Sequence, residues 1–103
     1  MSDTAAANDT TELEVVDQPD RGRYELLRNG TMIGYADYSL RGDEITIPHV
    51  ETDAAQRGQG LGSRLMDGVI ADVVDRNLTV VPVCPFAAAY LHEHPDLAYL
   101  IKR

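Results

Sequence analysis

At 103 residues the chain is one domain with no room for a second core, and 44% hydrophobic content allows that single core to pack. Its net charge of −8, from 17 acidic against 9 basic residues, leaves no basic footprint for a phosphate backbone, and five Tyr, one Phe and no Trp make poor stacking platforms for single-stranded nucleic acid. One cysteine excludes an internal disulfide, no apolar run approaches the roughly 20 residues that span a bilayer, and the N-terminus has neither the basic nor the apolar part of a signal peptide. A cytoplasmic protein that needs neither nucleic acid nor membrane is expected.

Residues 1–10 are small, polar and acidic and read as a disordered tail, with one domain over residues 11–103. Leu13 to Val16 is a first strand, closed by Asp17-Gln18-Pro19-Asp20. Arg23 to Arg28 is a second, and Asn29-Gly30 is a two-residue hairpin signal. The third strand, Thr31 to Leu40, would put Met32, Gly34, Ala36, Tyr38 and Leu40 on one face. Arg41-Gly42-Asp43 turns the chain into a fourth, Glu44 to Val50. Four strands joined by tight turns form an antiparallel meander. Pro48 cannot donate to a ladder, so it sits on an edge or at a bulge, and if the fourth strand is internal its ladder must break near Pro48.

A helix follows from about Gly60 to Arg76. Leu61, Leu65, Met66, Val69, Ile70, Val73 and Val74 recur at helical spacing, and Asn77 suits a left-handed stop. Leu78 to Val83 is a nearly all-apolar fifth strand, placed after a helix and therefore parallel to the fourth. Pro85 opens a short helix to Glu93, and Asp96 to Ile101 is a last helical turn or two. The fold class is α+β: a four-strand antiparallel meander, a helix, a parallel fifth strand and short C-terminal helices.

Strand, glycine turn, amphipathic helix is an arrangement that binds phosphates, because the first helical turn leaves N–H groups unpaired and glycine lets an anion approach the backbone. The run is Gln56-Arg57-Gly58-Gln59-Gly60-Leu61-Gly62-Ser63. A Walker loop needs a lysine at its end, and the only Lys is Lys102. A dinucleotide fingerprint needs its third glycine one residue later and follows the first strand of a parallel unit. What fits is Gln/Arg-x-x-Gly-x-Gly/Ala, met by Arg57, Gly60 and Gly62.

With this pattern the chain resembles the GNAT N-acetyltransferases. Four blocks in order, His49-Val50-Glu51, Arg57 to Gly62, Val80 to Phe86 and His94-Pro95, are similar to a small single-domain branch that lacks the helices after the first strand and the closing strand pair. The resemblance covers roughly residues 13 to 101. It implies acetyl-CoA as cofactor, its pyrophosphate on Arg57, Gly58, Gln59, Gly60, Leu61, Gly62 and Ser63, and its pantetheine beside Val50, where the fourth and fifth strands splay apart. It implies an acyltransferase acting on a small-molecule or peptide amine, in a monomer or weak homodimer. The alternative is a non-catalytic acyl-CoA-binding or interaction module that keeps the cradle.

For the chemistry, Cys84 is expected as the N-cap of the short helix, where free N–H groups favour thiolate. His49, taken to share the face of Ile45 and Ile47, is the candidate base or thiol partner. The resemblance to larger GNAT enzymes, in which a tyrosine on the equivalent helix protonates the leaving thiolate, makes Tyr90 a candidate for that role. His92 and His94 do not share a helix face, so no metal site is expected. The acidity fits either a salty cytoplasm or a cationic substrate.

Overall fold

A computed structural model describes residues 13–54 and 60–102. Their elements are β1 (Leu13–Gln18), a 3-10 turn (Pro19–Arg21), β2 (Arg23–Arg28), β3 (Thr31–Arg41), β4 (Glu44–Thr52), α1 (Leu61–Asp75), β5 (Thr79–Val81), α2 (Pro85–His92) and a second 3-10 stretch (Pro95–Leu100). One sheet runs β1-β2-β3-β4-β5, antiparallel through β4, with β5 parallel to β4. The β2–β3 turn has φ of 51° at Asn29 and 85° at Gly30, the positive pair that matches strand twist in a two-residue hairpin.

Two irregularities in the ladder decide which side chains face the core. Between β2 and β3 the pairing steps from Leu26↔Gly34 to Leu27↔Met32, leaving Ile33 as an extra residue in β3. Ile33 is therefore buried, whereas Met32 joins the outer face, against expectation. Gly34 and Ala36 do face inward, Tyr38 is half-buried, and Leu40, opposite Ile45 at the strand's end, stays exposed.

Between β3 and β4 the pairing steps from Asp37↔His49 to Ser39↔Thr46, so the extra residue lies at Ile47–Pro48. A bulge tolerates Pro48, which has no N–H to give. The alternation changes phase there: Ile45 and Ile47 face the core, and beyond the bulge Val50 and Thr52 turn inward. The expected placement of His49 on the Ile45–Ile47 face is thereby corrected. His49 points to the opposite face, beside Glu51.

Helix α1 buries Leu61, Leu65, Met66, Val69, Ile70 and Val73 in the cluster that holds Tyr24, Leu26, Ala36, Ile45, Ile47 and Val80. Its end is a Schellman cap: Asn77 has φ 57°, its N–H donates to Val74 O, and Leu78 N–H donates to Val73 O. Strand β5 stops at Val81, short of the expected Val83, because Pro82 cannot donate and the Val83 N–H turns back to Val81 O at 3.1 Å. Its outer edge is met by the C-terminus instead. Ile101 bridges Val80, and Lys102 N–H donates to Val80 O at 2.8 Å.

Candidate active site

The site is built where β4 and β5 part. Their ladder covers only Glu44–Thr46 against Thr79–Val81, and one further link joins the Cys84 N–H to Ile47 O at 2.9 Å. Past the Pro48 bulge, among the described residues, β4 has a ladder partner on its β3 side alone. Main-chain groups alternate sides along a strand, and Asp53 N–H donates toward β3, to Ile33 O at 2.7 Å. By that alternation the N–H and C=O of Val50 and Thr52 face the opening.

Helix α1 begins beyond residues 55–59, which lie outside the described residues. Gly60 caps it in the left-handed conformation (φ 68°, ψ 26°), with no side-chain cap and no acidic residue in the first turn. A Cβ added at Gly60 would meet no atom of the other described residues within 4 Å. The N–H groups of Leu61, Gly62 and Ser63 open a 15-residue helix and have no partner within its first turn. That geometry suits a diphosphate. Leu61, buried at 4%, anchors the helix and has only its backbone to offer. Gly62 is bare for a second reason: a Cβ there would lie 2.6 Å from Cζ of Phe86, so the glycine lets α2 close onto α1. Arg57, Gly58 and Gln59 lie outside the described residues.

Cys84 caps α2 as expected, with φ −66°, ψ 130° and Pro85 in the first turn. Its carbonyl accepts from the Ala88 N–H at 2.9 Å, but the thiol makes no capping bond and is buried in the core cluster. The expected Cys84–His49 pairing does not form in this structure. Backbone contact at Ile47 brings their segments together, yet one side chain is in the core and the other on the open face.

On that face His49 has found a different neighbour. Its Nε2 lies 2.9 Å from Oε1 of Glu51, and the Tyr35 hydroxyl donates to the same oxygen at 3.2 Å. The bond from His49 is the main cause holding the Glu51 carboxyl below its usual range, while partial desolvation and then Glu51 itself push the Tyr35 phenol up. An open groove of about 690 Å³ runs past Ile33, Tyr35, His49, Glu51, Thr52 and Asp53. Sequence reasoning missed Glu51 and Tyr35. Glu51 was within reach, since a residue two on from His49 shares its face. Tyr35 required the register.

The sequence model of the GCN5-related N-acetyl-transferase family matches residues 23–100. The chain belongs to that family. No curated protein matches it in sequence. Among solved structures it is similar to a GCN5-like protein from Staphylococcus aureus, at 21% identity over 89% of this chain and 90% of that one, with a TM-score of 0.67. It is also similar to the ribosomal-protein-S18-alanine N-acetyltransferase of Escherichia coli (23% identity, 93% of this chain, 58% of that one, TM-score 0.59). A third is a GNAT family acetyltransferase from Elizabethkingia anophelis with acetyl-CoA bound (17% identity, 91% and 60% covered, TM-score 0.54). The chain thus spans nearly all of the S. aureus protein and about three fifths of the other two.

Tyr90 is held in the contact between α2 and α1. Its hydroxyl donates to Oδ1 of Asp67 on α1 at 2.6 Å, and the His94 ring stacks on its own at 4.2 Å between centroids. Burial first, and then the bond to Asp67, hold its phenol well above the usual range. Tyr90 and Phe86 together tie α2 to α1. His94 Nδ1 lies 2.6 Å from Tyr90 O, so His94 belongs to this helix contact. Among the described residues no helix is long and apolar enough to cross a membrane, and no three His, Cys, Asp or Glu gather as metal ligands.

Proposed function

We propose that the protein transfers the acetyl group of acetyl-CoA to an amine, with the cofactor laid between β4 and β5 and its pyrophosphate on the first turn of α1. The observation that carries this reading is the parting of β4 from β5 at the Pro48 bulge, followed by a left-handed Gly60 at the start of α1. Bound acetyl-CoA supplies an activated thioester. Val50 and Thr52 offer main-chain partners for its amide arm, and Gly60, Leu61, Gly62 and Ser63 offer N–H groups to its phosphates, together with Arg57, Gly58 and Gln59.

His49 then accepts the proton of the attacking amine, which reaches it along the groove over Tyr35 and Glu51. Cys84 stands where the two strands begin to part. Its thiol either gives a proton to the departing sulfur or accepts the acetyl group first and passes it to the amine. The E. coli relative acts on an alanine of a ribosomal protein, which supports an amine acceptor without naming it here.

A second reading is a module that binds acyl-CoA without efficient turnover. Two observations favour it: the Cys84 thiol is buried, and Tyr90 is committed to Asp67. Titration calorimetry with acetyl-CoA and a coenzyme A release assay over a panel of amines separate the two. The transferase reading expects binding and amine-dependent release. Binding with no release for any amine selects the module, and no binding at all overturns both.

A further inference from the structure

The open face of the sheet joins three polar side chains through one oxygen. Pairing puts Tyr35 directly opposite Glu51, and His49 precedes Glu51 by two residues, so all three share that face. Oε1 of Glu51 accepts from the Tyr35 hydroxyl and contacts His49 Nε2. Tyr35 is steadied from its other side, where the Arg23 guanidinium stands 5.0 Å from the ring centroid and is itself held by Glu25. The His49 ring lies 5.9 Å from the same Tyr35 ring. Asp37, the ladder partner of His49, is the remaining charged neighbour on this face from β3.

An ionised carboxylate only accepts hydrogen bonds, so the imidazole nitrogen bonded to it must carry the hydrogen. The neutral ring then keeps its lone pair on the other nitrogen. We propose that Glu51, and Tyr35 through it, are positioning residues that hold His49 as the Nε2–H tautomer, so that Nδ1 is the atom that takes the proton of the acceptor amine. This rests on His49 being the base. On transfer the amine nitrogen bonds to the acetyl carbon, the carbon–sulfur pair leaves with sulfur, and the amine proton moves to Nδ1. The resulting imidazolium keeps its Nε2–H on Glu51. Side-chain exposures of 49% for His49 and 57% for Glu51 put water in competition for this bond, so one contact alone orients the ring weakly. The Tyr35 hydroxyl and the Arg23–Tyr35 stack supply the remaining restraint.

Imidazole nitrogen NMR of the ligand-free protein reads the placement without any acetyl transfer. Wild type should show His49 protonated at Nε2, with that proton protected from exchange. Protection should be lost in Glu51→Ala, and weakened in Glu51→Gln and Tyr35→Phe. In kinetics Glu51→Ala should lower kcat about tenfold at unchanged KM, and should cost nothing further in a His49→Ala background, because a group acting through another is not additive with it. A neutral ring protonated on Nδ1, or protection unchanged in Glu51→Ala, overturns the proposal. So does a Glu51→Ala loss that is equally large without His49, which would make Glu51 the proton acceptor itself. Failure of all amines to react would remove the transferase reading, while the NMR result still decides the placement.

Discussion

The two described glycines of the cradle share a motif but not a reason. Gly60 needs its left-handed φ and meets no other described residue, so Gly60→Val costs backbone strain of about 1–2 kcal/mol and also places a branched Cβ before the N–H groups. Its expected signature is acetyl-CoA affinity lowered far beyond the loss of stability. Gly62→Ala instead meets the Phe86 ring, whose exposed end can swing aside, and gains helix propensity. Calorimetric titration beside thermal melts should therefore show a large affinity loss for Gly60→Val and a small one for Gly62→Ala. Equal losses would mean that Gly62 also fronts the ligand. Cys84 is a sharper case. If its sulfur takes part in chemistry, Cys84→Ser binds acetyl-CoA normally and turns over at least ~10²-fold slower, about 2.7 kcal/mol of barrier. Mass spectrometry of wild type with acetyl-CoA and no amine should then show one added acetyl group on Cys84 if the thiol is acylated. An active serine variant and an unmodified thiol would leave Cys84 as a packing residue.

At the scale of elements, pattern carried the reading as far as pattern goes. The meander, the long helix, the Asn29-Gly30 turn, the Asn77 cap and the strand break at Pro48 are all local chemistry, and each is where its residues put it. Ile33 and His49 were misplaced because strict alternation assumes an unbroken ladder. One extra residue reverses every side chain beyond it. Pro48 announced its break, and following the phase through it would have put His49 on the face opposite Ile45 and Ile47. The Ile33 bulge has only Gly34 beside it as a marker, a weaker signal than a proline. The Val80–Ile101 bridge joins segments far apart in sequence, beyond what local pattern can supply. Close packing of α1 on β1 is equally silent: Gly68 reads as a weak helix position, yet its added Cβ would sit 2.5 Å from Cβ of Val15. Gly68→Ala gains up to about 1 kcal/mol of helix propensity and loses roughly 1–3 kcal/mol to overpacking, so the overlap decides the sign. Thermal melts should show destabilisation in Gly68→Ala, with partial recovery when Val15→Ala is added. A more stable single variant would show that the helix can shift away from the strand at little cost.

For the whole molecule the deciding quantity is the surplus of acid over base. Four described cations are already shared: Arg76 bridges Asp17 and Asp72, Arg21 and Arg23 both serve Glu25, and Lys102 pairs with Glu44. With 17 acidic and 9 basic residues, pairing cannot absorb the rest, and the folded chain works against its own charge of −8. Salt shortens the reach of that repulsion from about 10 Å at 0.1 M to about 3 Å at 1 M. It also weakens the pairs just named, but these are mostly surface contacts worth roughly 0–1 kcal/mol each. Relief of repulsion should win. The melting temperature is expected to rise by several degrees between 0.1 M and 2 M potassium chloride, and to rise less in a variant with several unpaired surface acids changed to their amides. That variant separates screening from the general strengthening of apolar burial that some salts produce in any protein. A melting temperature that stays flat or falls would remove high-salt adaptation as the reason for the acidity. It would leave attraction of a cationic amine to the groove beside Glu51 and Asp53 as the better account.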